Sequence, residues 1–307
     1  MTRISTLTML NSNTSGLINA QNAVYEAQTQ QSSEKVATDL KGYGNSAGIL
    51  VDSKSLLQKL DVRNDNLKTL SSRSDIESIA YEGFTDAISS VRDALTNALA
   101  NKNGSGLSTA IEGALADAMS AANTQFDGQY IFGGVRGDTQ PVTTATLDAL
   151  AAQPNTDANW TATGDTRKIT LSDGNTIELS KNAEEVFRPF VDFLRGIRAW
   201  ENSNTSLEGK LDDTSSAYIS SLLTNIKTIQ SDAINYQSGA GLVQKQIENK
   251  MTENSNQQTV IKTAIGNVVD VNLAEVAAKL VAAQTQYQAM ASIFAQVKGL
   301  NLLPYLS

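Results

Sequence analysis

The chain reads as mainly α: a long antiparallel helical bundle or coiled coil made from both chain termini, with a small β-rich insertion between its arms. Three observations lead there. Heptad seams run through both halves of the sequence, the one clear stretch of alternating β pattern lies near the middle, and both ends are helical in pattern yet almost uncharged.

The C-terminal stretch 271–303 organises the rest. Its apolar residues fall at Val276, Leu280, Ala283, Tyr287, Met290, Phe294 and Val297, in alternating steps of four and three. That spacing keeps one stripe of a helix facing a partner helix. Only Glu275, Lys279 and Lys298 are charged, and the remaining surface is Ala, Gln, Ser, Thr and Asn. A solvated helix face usually carries more Lys and Glu. This helix is expected to be surrounded by others on most sides.

The N-terminal arm matches it. Residues 15–36 predict a helix with Leu17, Val24 and Gln31 on one stripe and Gln21, Gln28 and Lys35 interleaved. Within residues 1–33 only Arg3 and Glu26 are charged. Two readings stand side by side: frayed ends, or helices that become ordered only inside an assembly. A stripe this polar gains little from folding alone, so burial against partners must offset the ordering cost.

A glycine loop, KGYGNSAG, separates this arm from a second helical pattern over about 49–100. Leu57, Leu60, Leu67, Leu70, Ile76, Ile79, Phe84, Ile88, Val91, Leu95 and Ala98 mark it. Such a rod would be roughly 80 Å long, which suits a coiled coil or bundle. NGSG at 103–106 is a turn, and 107–126 returns as a helix. The following DGQYIFGGVRG is a structural turn, since neither a helix start nor a GxxxxGK[ST] pattern accompanies its glycines.

From 138 to 181 the character changes. RKITLSDGNTIELS alternates through Ile169 and Leu171, turns at Asp173-Gly174, and alternates back through Ile177 and Leu179. Asn182 with Glu185 three residues on marks a capped helix start, and Phe187, Phe190, Val191, Leu194, Ile197 and Trp200 form its apolar face around Pro189. A second very long helical pattern begins near Asp213, with a glycine interruption expected at Gly239 and Gly241. The expected divisions are residues 1–40 with 271–307 as a terminal coiled-coil polymerisation domain, 41–135 with 183–270 as a long helical bundle, and 136–182 as a β-rich outer insertion. An up-down bundle with both ends side by side satisfies every seam.

Composition narrows the chemistry. Cys and His are both absent, so no thiol nucleophile, imidazole base, disulfide or Cys/His zinc site is available. The formal charge of −8, without a basic tract, argues against nucleic acid. No apolar run approaches a membrane span or a signal-peptide core. The paired carboxylates Glu184-Glu185 and Asp212-Asp213 sit at expected helix starts, where acids favour the macrodipole. Gly44-Asn45-Ser46-Ala47-Gly48 matches G-x-S-x-G but lacks a preceding strand and a His base. Asp173, Gly174 and Asn175 lack the other positions of a calcium loop. No catalytic residue, cofactor or metal is expected, and the seven seam residues from Val276 to Val297 are the functional candidates.

These residues resemble the bacterial flagellin family. The C-terminal segment is similar to that family's terminal helix at Asp270, Ala274-Glu275, Leu280, Gln284, Gln288-Ala289, Gln296 and the leucine-rich end at 300–306, and 242–267 is similar to the region before it. Within the family, Arg3-Ile4-Ser5-Thr6 and the G-x-Y-x-F-x-G turn of DGQYIFGGVRGDTQPV resemble the hook–filament junction group rather than the bulk filament subunit. The family's R-x-N-S-A-x-D-D-x-A-G loop is here LKGYGNSAG, which keeps Asn45-Ser46-Ala47 and loses the Arg and the acidic pair. The resemblance implies a non-enzymatic structural subunit, extracellular in the flagellum. It also implies export without a cleaved signal by the flagellar type III apparatus and an export chaperone. Its implied partners are copies of itself in a ring or helical assembly, a hook-side adaptor and flagellin. Three readings remain: junction adaptor, flagellin, and an enzyme or non-flagellar secreted coiled-coil effector.

Overall fold

A computed structural model describes residues 2–161, 164, 166–170, 174 and 176–299. Seven α-helices lie among these residues: α1 Thr2–Ser33, α2 Ser46–Asn101, α3 Leu107–Ala122, α4 Leu147–Ala151, α5 Ala183–Ser203, α6 Asp213–Val269 and α7 Leu273–Gly299. Two antiparallel strand pairs accompany them, β1 Gln125–Phe126 with β2 Gln129–Tyr130, and β3 Lys168–Thr170 with β4 Thr176–Glu178. The chain is mainly α, and the helices of its two ends pack on each other, as the seams predict. No helix of the described residues is long and apolar enough to cross a membrane.

The chain forms two compact units: Met1–Asp61 with Ser255–Ser307, and Val62–Asn254. In the first, α1 and α7 run antiparallel. A bridge pairs Lys35 with Asp270, where Val36 N–H donates to the Val269 carbonyl at 2.8 Å and Val271 N–H to that of Glu34 at 3.2 Å. Asn272 caps α7 by accepting from the amides of Ala274 and Glu275. The Tyr43 hydroxyl donates to the Ala37 carbonyl at 2.6 Å, and a Cβ on Gly42 would fall 2.3 Å from that of Ala37, so the loop closes only with glycine there.

The second unit holds the large core. Heptad positions on α2 from Tyr81 through Phe84, Ile88, Val91 and Leu95 are buried against α6 positions Ile219, Leu222, Ile226 and Ala233. The α5 aromatics close the layer: Phe84 lies 4.5 Å from Phe187 and 5.7 Å from Phe190, and Phe132 lies 5.0 Å from Phe187. Asn182 caps α5 by accepting from Glu185 N–H at 2.8 Å, and the helix continues through Pro189. Helix α6 also continues where the sequence predicted an interruption: Gly239 and Gly241 are helical, because seam residues on both sides hold the backbone.

Segment 141–161 is tied to α5 by arginines. Arg188 pairs with Asp157, Glu184 and Asp192, and Arg195 donates to the carbonyls of Leu150, Gln153 and Pro154. The β1–β2 turn places Asp127 and Gly128 at φ 50° and 72°, the left-handed pair a two-residue hairpin loop demands. In the second hairpin Ile169 faces Ile177, which is buried. Leu171 and Asp173 of the expected turn lie outside the described residues.

One core position is unexpected. Glu77 is buried in the α2 seam. Burial pushes its carboxyl above the ordinary range, against the opposing pull of the Ser180 hydroxyl and the Arg73 guanidinium. The folded chain thus keeps this proton to higher pH than the unfolded chain does. Stability therefore falls as pH rises from the unfolded carboxylate value, about 4.3, through the folded one. Glu77→Gln removes that loss. Its melting temperature should exceed the parent's near neutral pH and match it near pH 3 (about a unit below that carboxylate value). Identical melting at neutral pH would contradict this.

Candidate assembly surface

The register of α1 on α7 is set at two levels, by the Lys35–Asp270 bridge and by Gly16, whose Cβ would lie 3.4 Å from Met290 Sδ. The α7 residues at seam spacing are covered to different degrees. Val276 and Ala283 are buried, Leu280, Met290 and Phe294 are half-buried, and Tyr287 is exposed at 37%. The side chain of Val297 lies outside the described residues.

The α1 stripe differs from the expected one. Leu17 and Val24 are half-buried, but the positions between them are Ala20 and Ala27, 1% and 5% exposed, while Gln21, Gln28 and Gln31 face outward. The seam steps by three where the sequence reading stepped by four. The antiparallel register set by Lys35–Asp270 and Gly16–Met290 turns the Ala20 and Ala27 face of α1, rather than the glutamine face, toward α7. At Gly16 a small residue on one helix meets a large one, Met290, on the other, which lets the backbones approach closely.

One partner leaves most of each helix uncovered. Among the described residues the first unit exposes twelve large apolar side chains: Ile18, Tyr25, Val36, Leu40, Ile49, Val51, Leu56, Val260, Leu273, Val281, Tyr287 and Ile293. Among the described residues its buried apolar side chains are Ala20, Ala27, Leu50, Leu60, Val276 and Ala283. The larger second unit exposes five: Val62, Ile79, Val135, Ile234 and Leu242. Charge follows the same division. The first unit has eight Lys and Arg against seven Asp and Glu, and the second sixteen against twenty-five, so the second carries the acidity. A near-neutral helical surface with many exposed apolar residues marks an interaction face.

The other sequence candidates resolve into structure. Asp212 accepts from Ser215 N–H at 2.7 Å, and hydrogen bonds of this kind hold its carboxyl below the usual range. Glu184 pairs with Arg188, and Glu185 takes part in the α5 cap through its amide. Ser46 opens α2 with no base beside it in the sequence. No cluster of three potential metal ligands exists among the described residues. The sequence reading passed over Ser74 and Glu77, although both sit at seam spacing between Leu70 and Tyr81, where polar residues interrupt an apolar heptad.

Residues 218–306 match the family model of the bacterial flagellin C-terminal helical region. No curated protein matches the chain. Among solved structures, a Vibrio parahaemolyticus protein described as a flagellar hook-associated protein aligns at a TM-score of 0.59 and 16% identity, covering 76% of this chain and 99% of its own. FlgL of Bacillus cereus aligns at 0.53 and 17% identity, covering 70% and 98%. The chain shares the fold of these proteins and carries a flagellin-type C-terminal helical region.

Two substitutions separate the seam from the outer face. Ala20→Leu overpacks a fully covered position and should cost about 1–3 kcal/mol, read as earlier protease cleavage within α1 of the purified chain. Tyr25→Ser removes an exposed ring and should leave cleavage within about 0.5 kcal/mol of the parent. Equal effects of the two would contradict the register.

Proposed function

We propose that this chain is a structural subunit of the bacterial flagellum, an adaptor at the hook–filament junction that assembles through its terminal helices. The observation that carries the reading is the incompletely covered first unit, near-neutral in charge, with eight exposed large apolar residues in 1–40 and 271–307. Covering the exposed part of each such side chain contributes about 1 kcal/mol at roughly 25 cal/mol per Å². Eight together are of the order needed to offset the 4–15 kcal/mol or so lost on association. The fold shared with FlgL and with the hook-associated protein supports the same reading.

In this account residues 1–40 and 271–307 form the polymerising layer. Residues 41–135 and 183–270 form a bundle that folds by itself, and 136–182 face outward. Seam residues Val276, Leu280, Ala283, Tyr287, Met290, Phe294 and Val297 hold α7 to its own α1. The Ala and Gln faces meet neighbouring copies and the flanking axial proteins, a hook-side adaptor and flagellin. Contacts between non-equivalent faces extend a helical tube until the next layer differs. The subunit is not an enzyme. It reaches the cell exterior through the flagellar type III apparatus with an export chaperone.

The match of 218–306 to a flagellin region favours a second reading, the bulk filament subunit. Labelled flagella separate the two: a band at the hook's end supports the adaptor, and label along the filament supports flagellin. Purified chain should fail to form long filaments by itself. Tyr287→Asp or Phe294→Asp should leave the second unit folded by circular dichroism and abolish incorporation. Normal incorporation of either variant would count against the seam.

A further inference from the structure

The apolar interior of the second unit is discontinuous. The main cluster extends along α2 to Ala80, with Ile76 against its edge, and along α6 to Ala240. A separate small cluster of Leu67, Ile177 and Ile247 begins beyond a gap, with Leu70 and Val243 packed on it. Between the clusters the α2 seam positions are Ser74 and Glu77, both buried. Ser74 Oγ has no hydrogen-bond partner, and at this layer polar contacts replace the apolar packing of its neighbours.

Helix α6 meets this stretch of α2 at Gln244, which donates to Asp75 at 2.7 Å, and Gly239 and Gly241 lie within about a turn and a half of Gln244. Both are helical and exposed, and nothing lies within 4 Å of where a Cβ would stand. Neither a turn nor a close approach calls for glycine at these positions. Each weakens the helix relative to alanine, through the entropy its backbone loses on ordering. The polar layer of packing and the glycine stretch of α6 thus lie within about a turn and a half of each other.

We propose that the α2–α6 pair is jointed at this level: a flexure point between two separately packed stretches, braced by Arg73. The Arg73 guanidinium donates to Ser180 Oγ at 3.0 Å and to the Ile131 carbonyl at 2.8 Å, tying α2 to the roots of segment 132–179. Curvature imposed on the pair is absorbed between the clusters, and neither packed layer has to break. The inference rests on the fold alone and holds for an adaptor and a filament subunit alike.

Hydrogen exchange on the purified full chain tests it. Amides of 237–243 should exchange about tenfold faster than those of 222–229, where the seam is apolar. The Gly239→Ala/Gly241→Ala double variant keeps every contact and should slow 237–243 by about tenfold. Arg73→Gln should speed it. Uniform protection across α6 in the parent, or unchanged exchange in the double variant, would overturn the joint. Unchanged exchange in Arg73→Gln would remove the brace.

Discussion

A helix pair can bury only the stripe where its two members meet. That constraint governs the α1–α7 pair of the first unit. Helices α1 and α7 close one seam, with Ala20, Ala27, Val276 and Ala283 in its covered part. Two helices have no third face to put between their outer stripes and water. Ile18 and Tyr25, seven residues apart on α1, are accordingly 50% and 72% exposed. On a surface rich in Lys and Glu such residues would be isolated. Here the surroundings are Gln, Ser, Thr and Ala, which hydrogen-bond or pack equally well against another helix of the same kind. The composition that leaves the pair under-covered alone is the one that lets many copies pack together.

The second unit meets the same constraint differently. Helix α5 brings Phe187 and Phe190 onto the α2–α6 pair, and Glu208 caps α3 by accepting from the amides of Gly106 and Ser108. With a third helix the apolar stripes are covered within the chain, and the surface turns acidic. This unit supplies stability without partners, while the first supplies adhesion. At Ser74 and Glu77 the seam turns polar while staying buried.

Much of this was legible in the sequence because heptad spacing is a long-range signal. The α2 and α6 seams extend over many turns, so single errors average out. The cap at Asn182, the hairpin placing Ile169 opposite Ile177, and the structural role of the paired carboxylates followed from local chemistry. Two things did not. The α1 seam uses Ala20 and Ala27, which carry too little hydrophobic signal to outweigh the neighbouring glutamines, and only the partner register decides between them. The glycines of α6 suggest a break on propensity alone, yet packing on either side carries the helix through. The candidate surface was legible as a deficit of charge. Its geometry was not, because exposure depends on which faces the rest of the chain leaves bare.

Oxidative footprinting of Tyr25 tests the central claim most directly. The ring is 72% exposed in the free chain and belongs to the outer face of α1. Hydroxyl radicals should modify it readily in the purified protein and hardly at all in intact flagella, while Val135 of the second unit reacts alike in both. Equal reactivity of Tyr25 in the two states would contradict an account in which assembly covers the terminal helices.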